Sequence, residues 1–376
     1  MYHKKITVIN QSTGYLTIDM INHFSSIYEE VVLITGDIQF NNSKLNECVK
    51  VIYKMKYRRN NPFLRVFTWL YFHFQTFLYL LFNVSEGKLF LVTNPPTITF
   101  LGSFFLKYKK ISYDVLVYDI YPEALINFGY LNKTSFLFKV WSNQNKKSYS
   151  MADKVFTISN VMKDVLSRTM PKEKIEVIYP WVDTEFIKPI NKKDNWFIKK
   201  YSLLGKKVVL YSGNMGLTHD LITVLNVAKE IKGNNFHFLF IGDGAQKKKL
   251  QSYCLLNELS NVTFLPYQDE KTLPFSFASA DYSIVSLGKG AEGLSVPSKS
   301  FYYFSVGSAI LSISERGSEI EKMVNEYDLG LTVFPGDTDK IKLFLKNTND
   351  MELKTYKHNS RELSKRFTNE NAKKFI

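Results

Sequence analysis

Short apolar runs rich in Val, Ile and Leu recur along the chain, each followed by a longer amphipathic window, and this alternation constrains the fold more than any other feature. In the first half the runs are Ile6–Asn10, Val31–Thr35, Val49–Tyr53, Leu89–Thr93, Ser112–Tyr118, Lys154–Ile158 and Glu176–Tyr179. The windows Ile18–Tyr28, Pro62–Phe82, Thr97–Lys107, Leu137–Met151 and Val161–Thr169 have helical spacing. A strand that is apolar on both faces must be covered on both, so the pattern predicts a parallel sheet between helix layers. After the lysine-rich stretch Lys188-Pro-Ile-Asn-Lys-Lys-Asp194 the pattern restarts with Lys207-Val-Val-Leu-Tyr-Ser-Gly. It continues through Phe236–Ile241, Val262–Leu265, Tyr282–Val285, Ala309–Ser312 and Leu331–Val333. The expectation is an α/β chain of two doubly wound Rossmann-like domains, 1–188 and 189–361, facing a central cleft. Ligands in such sheets lie outside the carboxyl ends of the strands.

The 376 residues carry 49 Lys+Arg against 35 Asp+Glu, a formal charge of +14, which points to an anionic partner: nucleic acid, anionic lipid or a phosphorylated substrate. The basic residues are spread along the chain with no helix-turn-helix, zinc-finger or RNP pattern, which argues against nucleic acid. Cys48 and Cys254 stand far apart without a Cys/His cluster, so neither a disulfide framework nor a structural zinc site is expected. The chain start has basic residues but only about five apolar-leaning positions, shorter than a signal-peptide core, and no export is expected.

From Val66 to Ser85 no residue is charged, a length near the roughly 20 residues of a membrane span. Thr68, His73, Gln75, Thr76 and Asn83 interrupt it, and it lies inside one βα unit, so a buried or membrane-grazing helix is expected instead. The preceding Lys54-Met-Lys-Tyr-Arg-Arg-Asn-Asn-Pro-Phe-Leu-Arg65 is basic and aromatic together. Such a segment suits anionic headgroups, and equally suits a solvated loop before a core helix.

Chemistry concentrates in the second half. Tyr211-Ser-Gly-Asn-Met-Gly216 follows a strand and precedes a helix, an arrangement in which glycines permit a tight turn and free N–H groups bind phosphate. Phe240-Ile-Gly-Asp-Gly-Ala-Gln246 repeats the logic one unit later, where a purely structural turn is the simpler explanation. Gly290-Ala-Glu-Gly-Leu-Ser-Val-Pro-Ser-Lys-Ser300 combines a carboxylate, a glycine turn and a lysine at a helix start; hydroxyls need the first, phosphate oxygens the other two. Asp337-Thr-Asp339 spells D-x-D but follows the last strand and is expected to cap a helix; His219 is either a donor contact or a surface histidine.

These motifs together resemble family 4 glycosyltransferases of the GT-B fold. The resemblance rests on Ser212-Gly-Asn-Met-Gly216, Ile241-Gly-Asp-Gly244, Asn261-Val-Thr-Phe-Leu-Pro266, Ala278-Ser-Ala-Asp281 and Glu292-Gly-Leu-Ser-Val-Pro-Ser-Lys299. It extends to Asp119-Ile-Tyr-Pro-Glu123, Ala152–Ser159, Ile178–Asp183 and Phe334-Pro-Gly-Asp337, and is greatest for the branch building O-antigen and capsular repeat units, including N-acetyl-fucosamine transferases. In that family's E-x7-E motif the first Glu, here Glu292, contacts donor-sugar hydroxyls, with Gly293, Leu294 and Ser295 in the turn beside it. The second Glu is replaced by Ser300, and the usual Arg and Lys after the first glycine turn by Leu217-Thr-His-Asp220, which leaves Lys299 to supply positive charge.

The resemblance further implies donor contacts at Gly213, Asn214, Gly216, Gly242 and Pro266, and acceptor contacts at Gly14, Asn94 and Pro95. Asp119 is the candidate to position or deprotonate the acceptor, with a helix cap as its alternative; Glu123 is expected to be a helix N-terminal charge. The expected activity is retaining, metal-independent transfer from a nucleotide-sugar, UDP-linked by association with the branch, to a lipid-diphosphate-linked saccharide at the anionic inner face of the cytoplasmic membrane. No cofactor and no metal are expected, the nucleotide-sugar being a substrate. A nucleotide-sugar epimerase on the same fold and a non-catalytic nucleic-acid-binding protein are the alternatives. The family also implies that 362–376 crosses back to the first domain.

Overall fold

The computed structural model describes residues 4–39, 43–58, 61–127, 129–233, 235–288, 290, 293 and 296–376. The chain forms two compact units, residues 1–179 with 369–376, and residues 180–368.

In the first unit seven strands form one parallel sheet in the order Lys50–Tyr53, Glu30–Thr35, Lys5–Ile9, Lys88–Val92, Ser112–Val117, Val155–Thr157, Ile175–Val177. The central strands are apolar runs with almost every residue buried, as double-sided coverage requires. The second unit is a six-stranded sheet, again all parallel, in the order Val262–Leu265, Phe236–Ile241, Lys207–Ser212, Tyr282–Ser286, Ala309–Ile313, Gly330–Val333. Both are doubly wound α/β sheets, and in each the chain order reverses beside the first strand. That reversal opens a crevice at the carboxyl ends of the strands.

The strand positions agree with the sequence pattern to within a residue or two. The exceptions are the two-residue strands Ser12–Thr13 and Asp37–Ile38, which pair with each other and are too short to carry a periodicity. The division between the units differs from the expected 188/189. Residues 180–188 belong to the second unit because Val182 N–H donates to the Phe367 carbonyl (3.2 Å) and Arg361 donates to the Thr184 carbonyl (3.2 Å). The return likewise starts at Asn369 rather than 362: Phe367 packs edge-on against Phe301, 4.9 Å between ring centres, within the second unit. Phe375 packs on Phe90 and Phe156 in the first unit.

The helix Pro62–Asn83 is turned inside out over its first half. Thr68, Phe72, Thr76 and Leu80, four residues apart, form its buried face. Phe63 (86 % exposed), Phe67 (55 %), Leu70 (60 %) and Phe74 (53 %) line the opposite one. Two inward polar groups are engaged: Gln11 Nε2 donates to the Thr68 carbonyl at 2.8 Å, and Gln75 Oε1 accepts the Met55 N–H at 2.8 Å, while the buried Thr76 hydroxyl has no partner among the described residues. Among the described residues no helix is long and apolar enough to cross a membrane.

Candidate functional site

In the second unit the strand Lys207–Ser212 runs into Gly213-Asn-Met-Gly216 at the point where strand order reverses, beside Tyr282–Ser286. The turn is held by its neighbours. Gly213 N–H donates to the Ile241 carbonyl (2.9 Å) and Met215 N–H to the Asp243 carbonyl (2.7 Å). Two of the four N–H groups expected at the anion site are therefore already used; those of Asn214 and Gly216 have no partner among the described residues. The turn is also not the first turn of a helix, because Ile222–Glu230 begins six residues after Gly216. Asp220 caps that helix through the Thr223 N–H (3.3 Å) and Oγ1 (2.6 Å) and accepts the Gly336 N–H at 2.9 Å.

Gly213 faces open space bounded by two groups. A Cβ built there would stand 3.8 Å from Tyr211 Oη and 4.0 Å from Lys299 Cγ, with nothing closer. Lys299 opens the helix Lys299–Ser305, and its ammonium lies over the rings of Tyr302 (5.1 Å) and Phe277 (5.7 Å). Among the described residues no carboxylate pairs with it, and burial lowers its pKa from 10.5. An anion bound there would reverse that shift. Tyr303, on the same short helix, accepts the Ser212 N–H at 2.9 Å and so fastens the lysine's helix to the glycine turn.

Tyr211 Oη contacts both the Asn214 carbonyl and His219 Nδ1, each at 2.6 Å. One phenol proton serves only one of them, and the carbonyl only accepts. Tyr211 therefore donates to Asn214, and His219 carries its proton on Nδ1, leaving Nε2 with a lone pair in the neutral ring. Burial lowers the His219 pKa, opposed by its Asn214 contact, so the imidazole favours the neutral form. Lys299 is thus the cation of the turn. Tyr211, Tyr303 and the ring pair under the ammonium escaped sequence reasoning. Spacing offered one signal, since Tyr303 follows Lys299 by four residues on a helix.

The remaining donor positions divide. Gly242 lies against Gly213, in a turn whose carbonyl accepts Lys247 Nζ at 2.8 Å. Pro266 is exposed after the edge strand Val262–Leu265. Ser300 is 1 % exposed with its Oγ unpaired among the described residues, so the position that matches the family's ribose-holding Glu is enclosed. Gly293 sits in a turn, while Glu292, Leu294 and Ser295 lie outside the described residues. Asp337 stands at the N-cap position as expected, but its carboxylate takes the Phe334 N–H (3.4 Å) and Lys340 (2.8 Å), and Asp339 pairs with Lys342 at 2.7 Å.

The first unit gathers its own expected residues at one sheet edge. Gly14 caps the helix Tyr15–Phe24, and a Cβ there would meet nothing within 4 Å. The Asn94 carbonyl, before the cis bond to Pro95, accepts the Gln11 N–H at 2.7 Å across the strand reversal. Asp119 follows the strand Ser112–Val117, and its carboxylate has no hydrogen bond among the described residues, which leaves the capping alternative without a bond. The side chain is exposed to solvent, yet the surrounding protein withholds enough water to raise its pKa to about 6. Glu123 starts the helix Glu123–Asn127, where burial raises its pKa and its own N–H lowers it.

Residues 192–355 match the family described as glycosyl transferases group 1. That stretch of the second unit belongs to the group 1 glycosyl transferases. The chain is 27 % identical over 272 residues to a probable glycosyltransferase, WbjE, of Pseudomonas aeruginosa, covering 70 % of this chain and 67 % of that one. It is 28 % identical over 122 residues to WcaI of Escherichia coli K12, a putative colanic acid biosynthesis glycosyl transferase, covering 32 % and 30 %. Anabaena HepE, solved with UDP and glucose, superposes with a TM-score of 0.72 at 11 % identity over 99 % of this chain and 98 % of that one. The sucrose-phosphate synthase of Thermosynechococcus elongatus gives 0.75 at 13 % identity over 98 % and 96 %. The chain thus has the two-domain GT-B fold over its whole length.

Proposed function

We propose that the glycosyltransferase moves a sugar from a UDP-sugar to a lipid-diphosphate-linked saccharide in surface polysaccharide biosynthesis, with retention at the anomeric carbon and without a metal ion. One observation carries the donor half: Lys299, unpaired among the described residues, stands over the open face of Gly213 beside the unused N–H groups of Asn214 and Gly216. A diphosphate is the ligand whose oxygens need a cation and N–H donors at one place. In the transfer the leaving diphosphate gathers charge as the glycosidic bond breaks, and these groups stabilise it. Glu292, with Gly293, Leu294 and Ser295, takes the donor sugar, and Asp119 positions or deprotonates the acceptor hydroxyl. The relative named for colanic acid biosynthesis and the UDP bound to HepE support the substrate class. A thermal-shift series with UDP-, GDP- and ADP-sugars tests it: at a hundred times its dissociation constant the true donor stabilises the protein by about 2.7 kcal/mol. No shift with any nucleotide-sugar would sink the proposal.

The acceptor half places the enzyme peripherally on the inner face of the cytoplasmic membrane. The outward stripe Phe63, Phe67, Leu70 and Phe74 offers an apolar surface for the headgroup boundary, and the segment that leads into it carries Lys54, Lys56, Arg58 and Arg65. Cosedimentation is expected with anionic phosphatidylglycerol vesicles and not with neutral ones. The double substitution Phe67→Ser and Phe74→Ser should reduce it at least tenfold with an unchanged melting temperature, since both rings already face water. Equal binding by the variant would refute this surface.

A further inference from the structure

The carboxyl edge of the first unit's sheet carries four aromatic rings that the mechanism leaves unused. Tyr57 stacks on Trp69, ring centres 6.0 Å apart and planes 10° apart. Trp69 meets Tyr121 edge-on at 6.2 Å, and Tyr121 stacks on Trp141 at 6.2 Å and 11°. Four separate segments supply them: the stretch after Lys50–Tyr53, the helix Pro62–Asn83, the loop after Ser112–Val117, and the helix Phe136–Met151. All four rings are partly exposed, so the cluster is not a closed core.

Polar atoms of the cluster lack partners among the described residues. The indole N–H groups of Trp69 and Trp141 are shielded from solvent and donate to nothing among the described residues. Asn145, one helical turn beyond Trp141 and 4 % exposed, donates Nδ2 to the Tyr121 carbonyl at 2.6 Å and keeps Oδ1 without a donor. A purely packing cluster has no use for unpaired groups, because leaving them buried is costly. Asp119, two residues before Tyr121, is near enough for its charge to add to the burial that raises the Tyr121 pKa.

We propose that Tyr57, Trp69, Tyr121 and Trp141 form a saccharide platform that binds the sugar ring of the acceptor. A pyranose has an apolar C–H face and a rim of hydroxyls; ring faces match the first, and two indole donors with one amide acceptor match the second. A lipid tail would leave the polar groups unpaired, and a bare diphosphate would leave the rings unused. A bound hydroxyl would supply the partner each indole N–H lacks among the described residues, at no cost in existing hydrogen bonds. The inference rests on the acceptor being a saccharide, as proposed above.

Tryptophan emission tests it. The chain holds four tryptophans, and the other two, Trp181 and Trp196, belong to the second unit. The full-length protein is titrated with methyl glycosides of glucose, galactose and N-acetylglucosamine, with inorganic pyrophosphate as the control for an anion-only site. A saturable emission change is expected with at least one glycoside and none with pyrophosphate. Trp69→Phe and Trp141→Phe keep a ring at each place but remove the N–H. Each should weaken that glycoside about tenfold by calorimetry, the effect of losing one well-placed hydrogen bond, with UDP affinity unchanged. Should either variant melt early, the other is read alone. No saturable change with any glycoside, or wild-type affinity in both variants, overturns the platform. Glycoside binding without nucleotide-sugar binding would instead overturn the transferase donor assignment and leave the platform standing.

Discussion

Lys299→Met is expected to lower kcat/KM for the nucleotide-sugar by about 10²–10³-fold, the range found when one charge-stabilising group is removed from a transition state. The loss should fall mainly on kcat, because charge on the leaving diphosphate grows as the bond to the sugar breaks. Stability should move the other way or not at all. The ammonium is half-buried over Tyr302 and Phe277 with no carboxylate partner among the described residues, and methionine fills the same volume without desolvating a charge. His219 does not replace it, since its shared contact with Tyr211 and its lowered pKa favour a neutral ring. Steady-state kinetics with a melting curve on the same preparation decide the matter; turnover within twofold of wild type would remove Lys299 from the mechanism.

Gly242→Ala is expected to destabilise the second unit by about 3–5 kcal/mol, combining backbone strain and overpacking. Gly242 has φ +137°, a conformation that side-chain-bearing residues rarely adopt. Its added Cβ would also fall on the Gly213 carbonyl oxygen and press the Tyr267 ring at 3.3 Å. The exposed Tyr267 ring can swing aside, but the Gly213 carbonyl cannot yield cheaply, because Gly213 N–H is bonded to Ile241 and Gly242 N–H donates to the Leu265 carbonyl at 3.0 Å. At about 2–4 °C per kcal/mol for a unit of this size, the melting temperature should fall by about 6–20 °C. Nucleotide-sugar affinity should fall with it, as the displaced carbonyl belongs to the donor turn. A variant melting within about 2 °C of wild type would mean the turn is looser than its bonds imply.

The two substitutions separate what could be read along the chain from what could not. The glycine turns were legible as breaks after strands, their spacing repeating from Gly213 to Gly242, and at Gly242 the backbone approach does require glycine. Which N–H groups stay free was not, because Ile241 and Asp243 capture two of them from a neighbouring strand whose register is fixed across 28 residues of chain. The same limit explains the boundary. The lysine-rich stretch from residue 188 sets the expected boundary at 188/189, but Val182 and Thr184 are tied by hydrogen bonds to Phe367 and Arg361, and local composition carries no record of such partners.

By itself the sequence determined the two parallel α/β units, since strands covered on both faces must be continuously apolar and that requirement is written residue by residue. It also set the ordered motifs that mark the transferase and the lysine beside its last glycine turn. Only the tertiary structure decided that Ser300 is enclosed and that the helix Pro62–Asn83 turns its aromatic residues outward. It alone brought Tyr57, Trp69, Tyr121 and Trp141 together. Each of these depends on which distant segment packs against a side chain, and such contacts arise from the sheet's winding rather than from any local pattern.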